Sequence, residues 1–209
     1  LKLDLERRDF TINAMAYNHK SGIVDEFDGI GDLNKHIIKC VGCAHDRFSE
    51  DALRMFRAVR FAAQLGFEID KETQDAIKEL APTMAKVSAE RIQVELVKLL
   101  TSDHPEMMRN LYELGLTKVF MPEFDVMMQT PQNNKHHMYS VGEHTIRTLM
   151  NVRADKVLRL TMLLHDVAKP VCITTDEEGQ DHFKKHPAVG ADMAKQILRR
   201  LKFDNKTID

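Results

Sequence analysis

With 209 residues, the chain has room for one large or two small domains. Its 43% hydrophobic and 30% charged composition fits a soluble globular protein, and a net charge of -2 excludes a uniformly basic nucleic-acid coat while leaving a local basic face open. Cys40, Cys43 and Cys172 are too few for a disulfide framework and point to a reducing cytoplasm, and no apolar run or leader suggests a membrane span or a signal peptide.

In chain order, RRDFTINAMAY (7–17) predicts a helix, with Phe10, Ala14 and Tyr17 recurring on one side. Gly22 turns the chain. The alternation across GIVDEFDGIGDLNKHIIKCVG then predicts a short hairpin with strands near 23–27 and 36–41. Cys40 and Cys43 form a lone C-x-x-C with only His45 nearby. A zinc site needs a second ligand pair, so two small apolar residues at a strand end describe them better. From Ser49 onward helical periods dominate: 49–65 with Ser49 as its cap, 71–80, 89–100 and about 105–114, with Gly66 and Gly115 as stops. MPEF at Met121 and TPQNN at Thr130 punctuate a boundary, and helices resume at about 141–152, 156–168 and 187–201. The absence of Trp and the 12 Met residues predict an aliphatic, Met-filled core. The fold class expected is mainly α, with a strand-containing part at 1–46, a helical body at 47–125 and an all-helical part at 126–209.

Asp51 and Arg54 in RFSEDALRMFRAVRFAAQ are three apart and so share one helix face. A carboxylate beside a guanidinium matches a nucleobase edge, where an exocyclic amine stands beside a ring nitrogen, as in cytosine and adenine. The plainer alternative is a Glu50–Arg54 helix salt bridge. Upstream, Arg7 and Arg8 at a helix start suit phosphate, and Asp9 suits a sugar hydroxyl, with Thr11 and Asn13 beside them; an ordinary charged helix entry is the alternative.

Four stretches, DLERRDFTINAMAY, DEFDGIGDL, EDALRMFRAVRFAAQLGF and SAERIQVELVKLL, occur in that order. They resemble the motifs of class II tRNA nucleotidyltransferases, the CCA-adding enzymes, and of the related bacterial poly(A) polymerases. The resemblance covers residues 1–100 well and implies the rest of an α+β head, made of a β-hairpin plus helix, followed by a helical neck and body. It implies that Arg7, Arg8 and Asp9 handle triphosphate and ribose. Asp51 and Arg54 would pair with the base of CTP or ATP, and Glu50 would orient them. Asn13 and Arg57 join the nucleotide-binding set by the same likeness, with Arg60 on RNA. The helix around Glu90 and Arg91 would brace the base-reading helix. The family's Mg²⁺-holding D-x-D lies upstream of the RRD stretch, and no D-x-D occurs here. The expectation is therefore a fragment without catalytic residues for nucleotidyl transfer. Its partners would be tRNA or another RNA 3′ end with CTP and ATP, and neither DNA nor a membrane. Poly(A) addition is the runner-up, separable by product length.

In LTMLLHDVAKP, His165 and Asp166 end an apolar helix, with His144 upstream and His182 and His186 downstream. Histidines and a carboxylate with open positions suit a divalent metal and hydrolytic chemistry, and Lys169 could meet a phosphate. The alternative is a helix end where His165 caps carbonyls and Asp166 pairs with Lys169. The arrangement is similar to the HD superfamily of metal-dependent phosphohydrolases. That likeness implies His144, His165 and Asp166 as ligands of a divalent metal of unspecified identity, completed by His186 or by His182. A stand-alone HD phosphohydrolase and a non-catalytic RNA-binding module are the rival functions. The basic residues Arg54, Arg57 and Arg60, and again Arg199, Arg200 and Lys202, are candidates for RNA backbone, the latter three reading better as a solvated face.

Overall fold

The computed structural model describes residues 1–20, 22–132 and 139–209. Chain order begins with a short helix α1 (Lys2–Glu6), a 3₁₀ turn (Thr11–Asn13) and two antiparallel strands, β1 (Met15–Asn18) and β2 (Gly22–Asp25), in the register Tyr17↔Ile23. Residues 7–17 are thus not a helix. The backbone of this stretch pairs sideways: Val41 N–H donates to Asp9 O at 3.0 Å and Thr11 N–H to Lys39 O at 2.9 Å. The Asn13 side chain folds back onto Phe10 N–H at 3.3 Å, the local competition with helix that Thr and Asn offer.

The hairpin is also displaced. β2 pairs with β1, and a helix α2 (Gly29–Asn34) fills the bend before β3 (Ile37–Ile38). The Asp25 carboxylate explains the switch, because it accepts the Phe27, Gly29 and Ile30 N–H groups at 3.3, 2.8 and 2.8 Å. Those bonds end the strand and start the helix. A Cβ on Gly29 would stand 2.3 Å from Thr11 O, so only glycine lets α2 approach the 3₁₀ turn.

Two helices replace the single one expected at 49–65: α3 (Ala44–Glu50) and α4 (Leu53–Leu65). Ser49 lies inside α3 and caps nothing. The break falls at Asp51, whose backbone is extended (φ -149, ψ 102) and whose Oδ1 accepts Leu53 N–H at 3.1 Å. Asp51 therefore precedes α4 rather than sharing a helix face with Arg54. Helix α4 buries Leu53, Met55, Phe56, Ala58, Val59, Ala62 and Ala63 and stops at Gly66, in the left-handed region at φ 67.

Strand β4 (Glu68–Ile69) lies parallel to β3. Helix α5 (Lys71–Leu80), capped by Asp70, and α6 (Ala89–Leu100) fall where the periodicity put them. Then come a 3₁₀ turn (Pro105–Met107), α7 (Met108–Glu113), α8 (Thr117–Phe120) and α9 (Pro122–Gln129). MPEF marks the start of α9, with Pro122 at its first turn; Asn133 and Asn134 of TPQNN lie outside the described residues. The last part holds α10 (Val141–Met150), α11 (Lys156–Leu164), α12 (Lys169–Cys172), a small hairpin β5 (Thr174–Thr175) and β6 (Asp181–His182), α13 (His186–Arg200) and α14 (Asn205–Ile208). Ser140 and Asp155 cap α10 and α11 through Glu143 N–H and Leu158 N–H.

One apolar core runs from Phe10 through Phe56, Leu96, Met121 and Leu163 to Phe203. Polar ties cross it. Buried Arg159 of α11 donates to Leu100 O at the end of α6 and to Val152 O and Arg153 O. Arg109 meets Glu143 at 2.7 and 2.9 Å, and Arg200 meets Glu123 at 2.9 and 2.6 Å. Among the described residues no helix is long and apolar enough to cross a membrane.

Candidate functional site

Helix α4, the turn before it and the 3₁₀ entry segment enclose a cleft of about 380 Å³. Arg7, Arg8, Asp9, Asn13, Asp51, Arg54 and Arg57, all expected to hold nucleotide, line it, together with Leu53 and Arg91. Five guanidinium groups against two carboxylates leave the cleft net positive, as a polyphosphate requires.

Each polar group is oriented. Asp9 is 6% exposed; its Oδ1 accepts from Asn13 Nδ2 at 2.7 Å and its Oδ2 from Arg57 Nε at 2.5 Å. Burial works against the Arg57 cation, but the hydrogen bond and charge of Asp9 outweigh it and hold its pKa above the ordinary value. Asp51 Oδ2 accepts from Arg91 Nη2 of α6 at 2.7 Å. Burial pushes the Asp51 carboxyl up, but Arg91, the Leu53 N–H and Arg54 together hold it below the usual range. Arg54 donates to Glu50 Oε2 at 2.7 Å, so the plain salt bridge exists; it also donates to Arg47 O and Arg7 O. Arg54 therefore spans from α3 to the entry segment and still borders the cleft.

Arg60 is a correction. It is 5% exposed, donates through Nε to Glu95 Oε2 at 2.7 Å and lies over the Phe61 ring at 3.5 Å. Its position on α4 turns it toward α6 and into the interior. Arg200 is likewise tied, to Glu123. Cys40 is buried, with its thiol pushed up to about 12 chiefly by desolvation, while Cys43 is exposed.

A second centre sits where α10, the end of α11 and the start of α13 meet. His144, His165 and Asp166 each offer a ligand atom within 4.8 Å of the others. His165 and His186 turn Nδ1 to the Met162 and Phe183 carbonyls, both at 2.7 Å, which leaves each Nε2 for Asp166. His165 Nε2 lies 3.1 Å from Asp166 Oδ2, and His186 Nε2 lies 3.8 Å from Asp166 Oδ1. Lys169 Nζ stands 2.8 Å from Asp166 Oδ2 and donates to Gln132 Oε1 at 3.0 Å. At Oδ2 neither neighbour has the alignment of a hydrogen bond, so this buried oxygen keeps acceptor capacity. Burial would raise the Asp166 pKa, but His165 and Lys169 pull it down to about 2. Desolvation opposes the His165 cation, yet the adjacent Asp166 carboxylate raises its pKa. His182 stands apart, on Asp176 of the exposed hairpin at 2.7 Å.

Three family descriptions match successive parts of the chain: "Poly A polymerase head domain" at 1–39, "Probable RNA and SrmB- binding site of polymerase A" at 66–128, and "HD domain" at 135–208. A CCA-adding enzyme of Leuconostoc mesenteroides subsp. mesenteroides is 56% identical over 100 residues, 48% of this chain and 25% of the relative. That of Limosilactobacillus reuteri is 56% identical over 105 residues, 50% of this chain and 26% of the relative. The crystal structure of the Bacillus stearothermophilus CCA-adding enzyme in complex with CTP superposes with a TM-score of 0.64 at 31% identity, covering 99% of this chain and 44% of that one. In sequence and in fold the chain is similar to CCA-adding enzymes, and it spans less than half the length of each of these relatives. Its fold is shared by the Thermotoga maritima CCA-adding enzyme complexed with tRNA, at a TM-score of 0.63, 23% identity, and 99% and 46% coverage. The matched stretches span about a quarter of the curated relatives.

Sequence reasoning undervalued two arginines. Arg91 was expected only to brace α4, but it forms a wall of the cleft and holds Asp51. Arg47 donates to Glu6 O at 3.0 Å and pairs with Glu50 at 2.7 Å. Its signal was its place one turn before Asp51 on α3, which a single long helix at 49–65 concealed.

Proposed function

We propose that the protein serves CCA addition to tRNA 3′ ends in the cytoplasm, and that these 209 residues select and hold CTP and ATP. Residues 1–46 would be head, 47–125 neck and RNA-binding body, and 126–209 the HD domain. The carrying observation is that Asp51 and Arg54 border the same cleft as Arg7, Arg8 and Asp9. The Asp51 carboxylate accepts from the exocyclic amine of cytosine or adenine, and Arg54 donates to the adjoining ring nitrogen or carbonyl. Uracil lacks the amine and guanine presents a carbonyl in its place, so both leave Asp51 unmatched. Asp9 accepts a sugar hydroxyl, while Arg7 and Arg8, both exposed at the rim, meet phosphates.

The residues here do not fit the Mg²⁺ ions of nucleotidyl transfer. Both cleft carboxylates are paired with arginines, Asp9 with Arg57 and Asp51 with Arg91, and the surroundings are cationic. Calorimetric titration of the chain with CTP, ATP, UTP and GTP tests the selection. CTP and ATP should bind at least about tenfold more tightly than UTP and GTP, and Asp51→Ala should erase the difference. Equal affinity for all four would overturn it. With the whole protein, three added nucleotides on a tRNA ending at its discriminator base support CCA addition, and a long A tail supports poly(A) addition.

A divalent metal at His144, His165 and Asp166 is the second part of the proposal. It is supported by the three clustered ligand atoms and by the acceptor capacity left on Asp166 Oδ2. Such an ion would polarise a phosphoryl oxygen or lower the pKa of a water. The chain's own part is to orient His165 through Met162 O and to offer Lys169 to phosphate. Equilibrium dialysis with Mn²⁺ and with Zn²⁺ should give one bound ion, lost in Asp166→Ala; equal uptake by the variant would refute the site.

A further inference from the structure

We infer that a second cavity, which shares Asp51 and Arg91 with the nucleotide cleft, takes a backbone phosphate of the RNA on Lys86 and Arg91. The inference rests on the reading that residues 47–125 meet RNA beside a bound nucleotide. It adds where the strand is gripped.

This cavity has a volume of about 310 Å³ and lies between the end of α3, the start of α4, a 3₁₀ turn (Ala81–Lys86) and the first turn of α6. Its size is at the lower end of ligand sites, about 300–1,000 Å³. Glu50 and Asp51 line it, but their charges are spent on protein. Glu50 pairs with Arg47 and Arg54, both at 2.7 Å, and Asp51 pairs with Arg91 at 2.7 Å. Lys86 also lines it, is exposed, and has no ion-pair partner among the described residues. The cavity therefore keeps an excess of positive charge, which suits an anion and opposes a metal cation.

Arg91 has donors to spare. Only its Nη2 is spent, on Asp51 Oδ2, which leaves Nε and Nη1 without a protein partner on a half-exposed side chain. A guanidinium that keeps one carboxylate and still meets a phosphate uses the geometry that separates Arg from Lys. Helix α6 begins at the cavity, and its N-cap Ser88 makes no side-chain cap bond, so the positive end of the helix adds to the field of Lys86. Phe48, Ala52 and Val87 give the cavity an apolar wall for the attached ribose. A free phosphate ion would meet the same donors. A strand has a further reason to be here, because its 3′-hydroxyl has to come within reach of the nucleotide's α-phosphate. Arg91 borders both cavities, so the strand's phosphate and the incoming base stand one guanidinium apart.

The test is fluorescence anisotropy of the chain with a short labelled hairpin RNA that ends in an unpaired 3′ base, read across about 50–200 mM salt. Calorimetry with CTP and UTP, without RNA, runs beside it, and thermal unfolding checks each fold. Lys86→Ala should weaken RNA binding about threefold or more and lower the slope of log affinity against log salt by about 0.7–0.9, the loss of one phosphate contact. Its CTP-over-UTP preference should stay within about twofold of the parent, because Lys86 does not line the nucleotide cleft. Lys86→Arg should bind RNA like the parent. Lys78→Ala, which removes an exposed lysine outside the cavity lining, should also leave the RNA slope unchanged. Arg91→Lys, which cannot serve Asp51 and a phosphate together, should lower both RNA affinity and the CTP preference. An unchanged slope in Lys86→Ala overturns the inference, and so does an equal fall in Lys78→Ala, which would make the effect one of general charge. An Arg91→Lys chain that loses base preference alone overturns the part assigned to Arg91. Absence of RNA binding by the unsubstituted chain overturns the whole inference, whereas equal affinity for CTP and UTP would refute the nucleotide reading and leave the RNA result to stand by itself.

Discussion

Arg60→Met probes the point at which sequence and structure disagree most. The substitution leaves Glu95, 4% exposed, without the guanidinium 2.7 Å away; the remaining cation is Lys98 Nζ at 3.5 Å, on a half-exposed side chain. Removing one member of a buried pair costs about 3–5 kcal/mol. Lys98 offsets part of the uncompensated charge, so we expect the lower end, about 3 kcal/mol. For a chain of this size that is a fall in Tm of roughly 6–12 °C. Urea and thermal unfolding measure both. The double variant Arg60→Met/Glu95→Leu removes the stranded charge and should return to within about 1 kcal/mol of the parent. If Arg60→Met unfolds like the parent but binds tRNA more weakly, the side chain faces RNA and the buried-pair argument is wrong.

Other outcomes follow from the same packing. Arg159→Met strands three carbonyl acceptors, those of Leu100, Val152 and Arg153, and should cost about 1–3 kcal/mol in urea unfolding. A Gly29→Ala chain must move the new Cβ away from Thr11 O and should lose about 1–3 kcal/mol by thermal unfolding. Burial raises the Asp125 carboxyl, against smaller opposing effects of Thr117 and Lys118, and neither of its oxygens has a hydrogen-bond partner among the described residues. A raised folded-state pKa favours the fold below the ordinary carboxylate value and withdraws that support as pH rises. Asp125→Asn should therefore gain on the parent in Tm as pH climbs above 4, and a constant gap across pH would contradict this.

The helical body was legible because its signals are local. The helical periods at 71–80 and 89–100 and the Gly66 stop act within one or two turns, and helices α5 and α6 lie where they point. The entry segment was not, because its hydrogen bonds run to residues 39–41 and 22–25, which periodicity within 7–17 does not reveal. The cleft residues were legible by type: a carboxylate or guanidinium in an apolar surrounding has to meet a partner. Type did not say which partner. Arg54, Arg57 and Arg60 look alike in sequence, yet one spans two segments at the cleft, one grips Asp9 and one is sealed against α6. Their helical phase relative to α6 decides, and that is a tertiary quantity.

The unbroken apolar interior from Phe10 to Phe203 has a practical bearing on any survey of variants. Because α6, α9 and α13 share it, damage near Leu198 drains the population of intact molecules that present Asp9 and Asp51, although no atom of the cleft has been altered. A loss of about 1–2 kcal/mol suffices to change cellular abundance several-fold. Loss of function in such a variant would speak about dosage before it spoke about chemistry.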